Sequence, residues 1–191
     1  PEEARDMVIW AFEVSEAVGL PVMVRLVTRI CHARGTLTLG AIRPKNAVPG
    51  LLPEDRFITA ARFHPASHEK LASARDRFGK CPFNSYSGPE SPELIVFASG
   101  VGYFYAVEAA ERLGVENRVG IAKIGTVWPL PLEPVLACLE RTGTYLFLEE
   151  IEPFLEEQVK LVAADHWEQA GNRRFLGKKS GGVPWVLKGR G

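Results

Sequence analysis

Apolar residues recur at helical spacing at the start of the chain. Met7, Ala11, Val14 and Val18 share one face, while Glu3, Asp6, Glu13 and Glu16 occupy polar positions. Gly19 and Pro21 are stop signals for that helix. The run Val22-Met23-Val24-Arg25-Leu26-Val27 then predicts an apolar strand. In a parallel sheet, a helix that enters a strand normally crosses over from an earlier strand. No earlier strand is present, so the chain is expected to open inside a βαβ unit of a longer protein; the alternative is that a start methionine is removed before Pro1 and the helix simply leads a small sheet.

Residues 35 to 62 are punctuated by Gly35, Gly40, Pro44, Pro49, Gly50 and Pro53, which leaves room only for short strands at Leu37-Thr38-Leu39 and Phe57-Ile58-Thr59. A helix follows from Pro65 to Phe78, with Leu71, Ala74 and Phe78 on a narrow stripe and polar residues elsewhere. Cys81 to Pro89 has the composition of a linker.

From Glu93 the pattern alternates between strand and helix. Leu94 to Ala98 predicts a strand, Ser99-Gly100-Val101-Gly102 a tight turn, and Tyr103 to Leu113 a helix closed by Gly114, with Glu108 and Arg112 paired on its surface. A second strand spans Val119 to Ile124, a loop Thr126 to Pro131, and a helix Glu133 to Glu140. A third strand, Tyr145 to Leu148, ends in Glu149-Glu150-Ile151-Glu152 and leads to a helix from Pro153 to about Trp167, with Leu155, Val159 and Val162 inward. Three βα units in succession imply a small three-layer α/β domain on a parallel sheet, preceded by a helix-strand segment and a connector. Gly177-Lys178-Lys179-Ser180-Gly181-Gly182 has the look of an exit linker.

Composition narrows the function classes. The chain has 191 residues, 46% hydrophobic and 24% charged, with 23 basic and 23 acidic side chains. A balanced charge supplies no field to recruit nucleic acid or an acidic membrane. No stretch is apolar over the length of a membrane span, and the expected compartment is the cytoplasm. Cys31, Cys81 and Cys138 are widely separated and odd in number, which argues against a disulfide framework and against a zinc or iron–sulfur site built from this chain alone.

Candidate chemistry is sparse. Glu149, Glu150 and Glu152 fall at the carboxyl edge of the predicted sheet, where open α/β folds place ligands or partners. Together with Gln158 they form a possible interface, and with Glu156 and Glu157 they could equally be a solvated helix start. Thr28, Arg29 and His32 lie just past the first predicted strand; Arg25 and Arg29 could steer a carboxylate or pair with acidic neighbours, and His32 could pass a proton. Ser99-Gly100-Val101-Gly102 could hold an anion at a helix start, but it lacks the full dinucleotide spacing and reads better as a structural turn. His64 and His68 share a helix face without a third ligand nearby, which does not make a zinc site.

Pro21 to Gly35 resembles the end of the pyrimidine-binding domain in the alpha subunit of indolepyruvate:ferredoxin oxidoreductases. Ser99-Gly100-Val101, Lys123 to Pro131 and Glu149-Glu150-Ile151-Glu152-Pro153-Phe154-Leu155-Glu156-Glu157-Gln158-Val159 are similar, in order, to the next domain of that family, which is related to the transketolase C-terminal domain. Gly177 to Gly181 resembles the linker that follows. The resemblance implies residues 1–35 as the trailing edge of the pyrimidine-binding domain and 36–92 as a connector. It implies 93–170 as the transketolase-C-like domain and 171–191 as the exit linker. The whole enzyme would use thiamine diphosphate, magnesium and iron–sulfur clusters to decarboxylate aryl pyruvates oxidatively to acyl-CoA. Its partners would be the other alpha-subunit domains, a smaller beta subunit, ferredoxin and coenzyme A. This chain lacks the cofactor-activating glutamate, the diphosphate segment and the cysteine-rich stretch, so it is expected to bind none of these cofactors and to be inactive alone. Thr28, Arg29 and His32 are the nearest candidates to the cofactor region. Two other readings stay open: the C-terminal part of a transketolase-like or 2-oxo acid dehydrogenase subunit, and a free-standing module that docks a basic partner.

Overall fold

The computed structural model describes residues 2–41, 60–166 and 173–183. The chain divides into two compact units, Pro1–Ser73 and Ala74–Gly191.

In the first unit, helix α1 (Glu2–Val18) buries Ala11, Val14 and Val18, the face its spacing predicts. Gly19 ends it at φ +62°, and its N–H donates to Ser15 O at 2.9 Å. The predicted strand at Val22–Val27 does not form. Val27 is extended, at φ −79° and ψ 154°, but a strand needs a neighbour to bond, and among the described residues this run has none. Met23 is accordingly 89% exposed. A single helical turn, α2 (Thr28–Cys31), follows. Leu37 to Leu39 is no strand either; instead Thr38 is tied to α1, its N–H donating to Glu2 Oε1 at 3.0 Å and its carbonyl accepting from Arg5. The predicted strand Phe57-Ile58-Thr59 lies outside the described residues. Helix α3 runs His64–Gly79.

The second unit is built on a five-stranded sheet in the order β1-β3-β2-β4-β5. Its members are β1 (Ser85–Ser87), β2 (Leu94–Ala98), β3 (Val119–Lys123), β4 (Thr144–Leu148) and β5 (Arg174–Leu176). All neighbours are parallel except β1, which runs antiparallel along β3. Helix α4 (Val101–Leu113) carries the chain from β2 to β3, and α5 (Leu132–Leu139) carries it from β3 to β4 on the far side of β2. Helix α6 (Phe154–His166) follows β4.

Residue alternation along the strands separates two apolar layers. Ile95, Phe97, Tyr145 and Phe147 face one side with Val135, Leu139, Leu155 and Val159 of α5 and α6. Val96 and Ile121 face the other with Ala106 and Ala110 of α4. The result is the three-layer α/β arrangement that the three βα units predict. The Glu108–Arg112 pair also forms, at 2.6 Å on an exposed face, where such pairs contribute only tenths of a kcal/mol.

Two stretches with linker composition are built into this unit. Cys81 to Pro89 contains β1, and Asn84 within it fastens the chain to the loop after β3. Asn84 Oδ1 accepts from Gly125 N at 2.8 Å and Thr126 N at 3.2 Å, and its Nδ2 donates to Phe78 O at 2.8 Å. In the C-terminal stretch, Arg173 Nη1 donates to Leu139 O and to the Tyr145 hydroxyl at 2.6 and 2.7 Å, and β5 pairs with β4. Phe175 stacks on Tyr145 with 5.3 Å between ring centroids. Three-residue strands carry no periodicity to detect; their partners define them.

Asn84→Ala should cost about 2 to 4 kcal/mol, because two backbone donors lose their acceptor together. Urea denaturation of the two chains would measure it, and a loss below the resolution of the fit would contradict the role given to Asn84.

Candidate functional site

The most acidic part of the chain is the stretch between β4 and α6, and its chemistry is decided by where each carboxylate goes. A helix start leaves backbone N–H groups without intrahelical acceptors. Glu149, at the end of β4, turns its carboxylate onto two of them. Its Oε1 accepts from Leu155 N and its Oε2 from Glu156 N at 3.0 Å. Pro153 stands immediately before α6 rather than inside its first turn, and its carbonyl accepts from Glu157 N at 3.1 Å.

Glu156 is the unusual residue. A glutamate in the first turn of a helix is normally solvated, yet Glu156 is 0% exposed. Its carboxylate accepts from Lys160 Nζ at 2.6 Å, Ser180 N at 2.9 Å, Lys179 N at 3.0 Å and Ser180 Oγ at 2.5 Å. It therefore holds the turn Gly177–Ser180 against α6. Gly177 is required there: a Cβ at this position would stand 2.3 Å from Glu156 Oε2.

The same turn reaches back. Lys178 is only 9% exposed, and its ammonium donates to Glu149 O and Ile151 O, both at 2.7 Å. Ile151 sits at φ +64°, a costly conformation for a β-branched residue, with its side chain exposed and its carbonyl aimed at that lysine. Glu157 pairs with Lys179 nearer the surface. The acidic motif and the Gly-Lys-Lys-Ser tail thus form one clasp. Glu149 caps α6, Glu156 binds the tail, and the tail's Lys178 binds the carbonyls beside Glu149.

Burial opposes the charge on Glu156, but the hydrogen bonds from Lys160, Ser180 and Lys179 outweigh it and lower the carboxyl from 4.5 to about 2. Glu149 is raised instead: burial dominates, and the two α6 amides and the Lys178 charge offset it only in part. Cys138, on the inner face of α5, is pushed up to about 11 by burial, so it is a packing residue and not a nucleophile.

The other candidates separate. Glu150 and Glu152 are exposed, and Gln158 is half-buried on α6. Thr28, Arg29 and His32 belong to the first unit: Thr28 opens α2 with its side chain exposed, and His32 ends it, exposed, with its N–H donating to Thr28 O at 3.1 Å. Of Arg29 only the backbone is described, within α2. The Ser99–Gly102 turn is structural: a Cβ on Gly102 would stand 2.8 Å from Leu148 O, and Gly102 N and Tyr103 N already donate to Ser99 O and Gly100 O. Among the described residues, no three His, Cys, Asp or Glu side chains converge to hold a metal ion. Also among them, no helix is long and apolar enough to cross a membrane. Sequence reasoning misses Glu156 and Lys178 as partners of one clasp. The usable signals are the Glu156–Lys160 helical spacing and two lysines in a glycine-flanked turn.

No protein-family model matches this chain. It is 38% identical over 178 residues to indolepyruvate oxidoreductase subunit IorA of Pyrococcus abyssi, an alignment that covers 86% of this chain and 27% of that subunit. The same subunit of Thermococcus kodakarensis is 38% identical over 175 residues, with the same coverages, and that of Methanothermobacter thermautotrophicus 34% identical over 170, covering 85% and 27%. The chain is thus homologous to a segment of these subunits and spans about a quarter of their length. Among solved structures, a split-gene transketolase in an inactive beta4 tetramer is similar at TM-score 0.41 and 18% identity, covering 49% of this chain and 31% of that one. A 2-oxoglutarate:ferredoxin oxidoreductase of Magnetococcus marinus, solved with 2-oxoglutarate, coenzyme A and succinyl-CoA, is similar at TM-score 0.44 and 13% identity, covering 63% and 21%.

Glu156→Gln should destabilise the chain at neutral pH by about 3 to 5 kcal/mol, since an amide presents its own donors to Lys160, Lys179 and Ser180. Folding lowers the Glu156 pKa from 4.5 to about 2, so the charge-linked part of this stability, about 3 kcal/mol, is present above pH 4.5 and is lost as pH falls toward 2. Glu149, being raised, has the opposite sign and does not account for such a loss. Denaturation of wild type and variant across pH 2.5 to about 7 should show the gap closing on the acid side; a gap independent of pH would contradict the assignment.

Proposed function

We propose that this chain serves as an architectural segment of the alpha subunit of an indolepyruvate:ferredoxin oxidoreductase. In that reading the whole enzyme decarboxylates an aryl pyruvate oxidatively to the acyl-CoA and passes the electrons to ferredoxin. The support is homology to IorA subunits over most of the chain. The observation that carries the architectural role is the clasp. The two most distinctive polar motifs, Glu149 to Val159 and Gly177 to Ser180, spend Glu149, Glu156 and Lys178 on each other.

Thiamine diphosphate, magnesium and iron–sulfur clusters would belong to other parts of the longer enzyme, because the donor set described here does not fit them. Glu149 and Glu156 already accept from backbone N–H groups or a lysine of this chain, and among the described residues the buried Cys81 and Cys138 belong to no group of three His, Cys, Asp or Glu side chains that could hold a metal ion. No reaction step is therefore assigned to these side chains. Residues 1–35 would trail from the pyrimidine-binding domain, with Thr28, Arg29 and His32 the residues nearest the cofactor region. The second unit would orient the cofactor-bearing domains, and the exposed Glu150 and Glu152, with Gln158, would face neighbouring domains or the smaller beta subunit. The whole enzyme would work in the cytoplasm.

With indolepyruvate, coenzyme A, thiamine diphosphate, Mg²⁺ and oxidised ferredoxin, the longer subunit assembled with its beta partner should form acyl-CoA, and this chain alone should form none. Glu156→Gln in the assembled enzyme should lower the yield of folded complex while leaving turnover per folded complex within about twofold. Turnover by the isolated chain, or a Glu156→Gln complex that assembles fully but is inactive, would contradict the reading.

A further inference from the structure

His64 and His68 open helix α3, one turn apart and both exposed. Spacing of four places both side chains on one face of the helix. Their rings meet edge to face with centroids 4.4 Å apart, and the two Nε2 atoms are 2.9 Å apart. The same nitrogen of each ring is therefore brought within hydrogen-bonding distance of the other.

That separation has a coordination meaning. Two imidazole nitrogens bound to one ion at about 2.0 to 2.1 Å stand roughly 2.9 to 3.3 Å apart, so the pair needs little rearrangement to share an ion. We infer that His64 and His68 form a two-point chelating site for a divalent late transition metal that favours imidazole, Ni²⁺ or Cu²⁺. The remaining positions are filled by water, since the pair faces solvent. The site differs from a closed structural zinc centre, which needs four protein ligands. In the metal-free chain the same pair forms a hydrogen bond in which one Nε2 carries the proton and the other accepts it, and a shared metal takes the place of that proton. The helix turn between the two ligands is already formed, so the second nitrogen binds at high effective concentration once the first is engaged. The inference is independent of the oxidoreductase reading.

Ni²⁺ is the suitable probe because Cu²⁺ would oxidise the exposed Cys31. Equilibrium dialysis of the untagged 191-residue chain against Ni²⁺ should find a site that His64→Ala and His68→Ala each weaken at least about tenfold. His68→Gln should weaken it equally while far-ultraviolet circular dichroism stays unchanged. Independently of any variant, substoichiometric Ni²⁺ should broaden the ring proton resonances of His64 and His68 together, ahead of those of His32 and His166. Single variants that retain affinity within about twofold, or broadening that begins at His32, would overturn the site.

Discussion

A charged carboxylate with no contact to water organises the second unit. Glu156 is buried at the first turn of α6, and the desolvation of its charge is offset only because Lys160 and the turn Gly177–Ser180 supply donors at 2.5 to 3.0 Å. The arrangement is all or nothing. If the turn leaves, Glu156 is stranded and Lys178 releases the carbonyls of Glu149 and Ile151. Ile151 then has nothing to compensate its left-handed backbone. Glu149, which caps α6, is coupled to the same event through its own carbonyl. A stretch near the end of the described chain thereby locks the loop at the carboxyl edge of the sheet.

This constraint also bears on function. The carboxyl edge of an open α/β sheet is the usual place for a ligand. Here the half-buried Glu149 and the buried Glu156 at that edge turn inward and stabilise the loop's shape. The exposed groups left around them are apolar as well as acidic: Trp128 and Val127 after β3, and Ile151, Glu150 and Glu152 after β4. A rigid rim with mixed chemistry suits contact with other protein surfaces better than it suits proton transfer, which needs a titratable group free to exchange with a substrate. That is the physical argument behind the architectural role proposed above.

What the sequence makes legible is local. β2, β3 and β4 are apolar runs long enough to show, α4 closes on Gly114, and α1 on Gly19. What it hides depends on distant partners. Val22 to Val27 has the composition of a strand but no neighbour to bond among the described residues, so it forms no strand and stays partly bare. β1 and β5 have almost no signal of their own and exist because β3 and β4 offer unpaired edges. Glu156 is the sharpest case. Its place in a helix start suggests solvent, and only the turn twenty-odd residues later reverses that. Gly177 and Lys178 look like linker residues for the complementary reason: glycine is there so that a carboxylate can lie on its backbone.

Amide hydrogen exchange at Lys179 and Ser180 tests the clasp most directly, because these N–H groups have Glu156 as their acceptor. The account predicts that in the wild-type chain both exchange far more slowly than exposed turn amides, at rates comparable with β4, and that Glu156→Gln removes the protection. Exchange at unprotected rates in the wild-type chain would mean that the turn is not held, and the clasp with its buried charge would have to be abandoned.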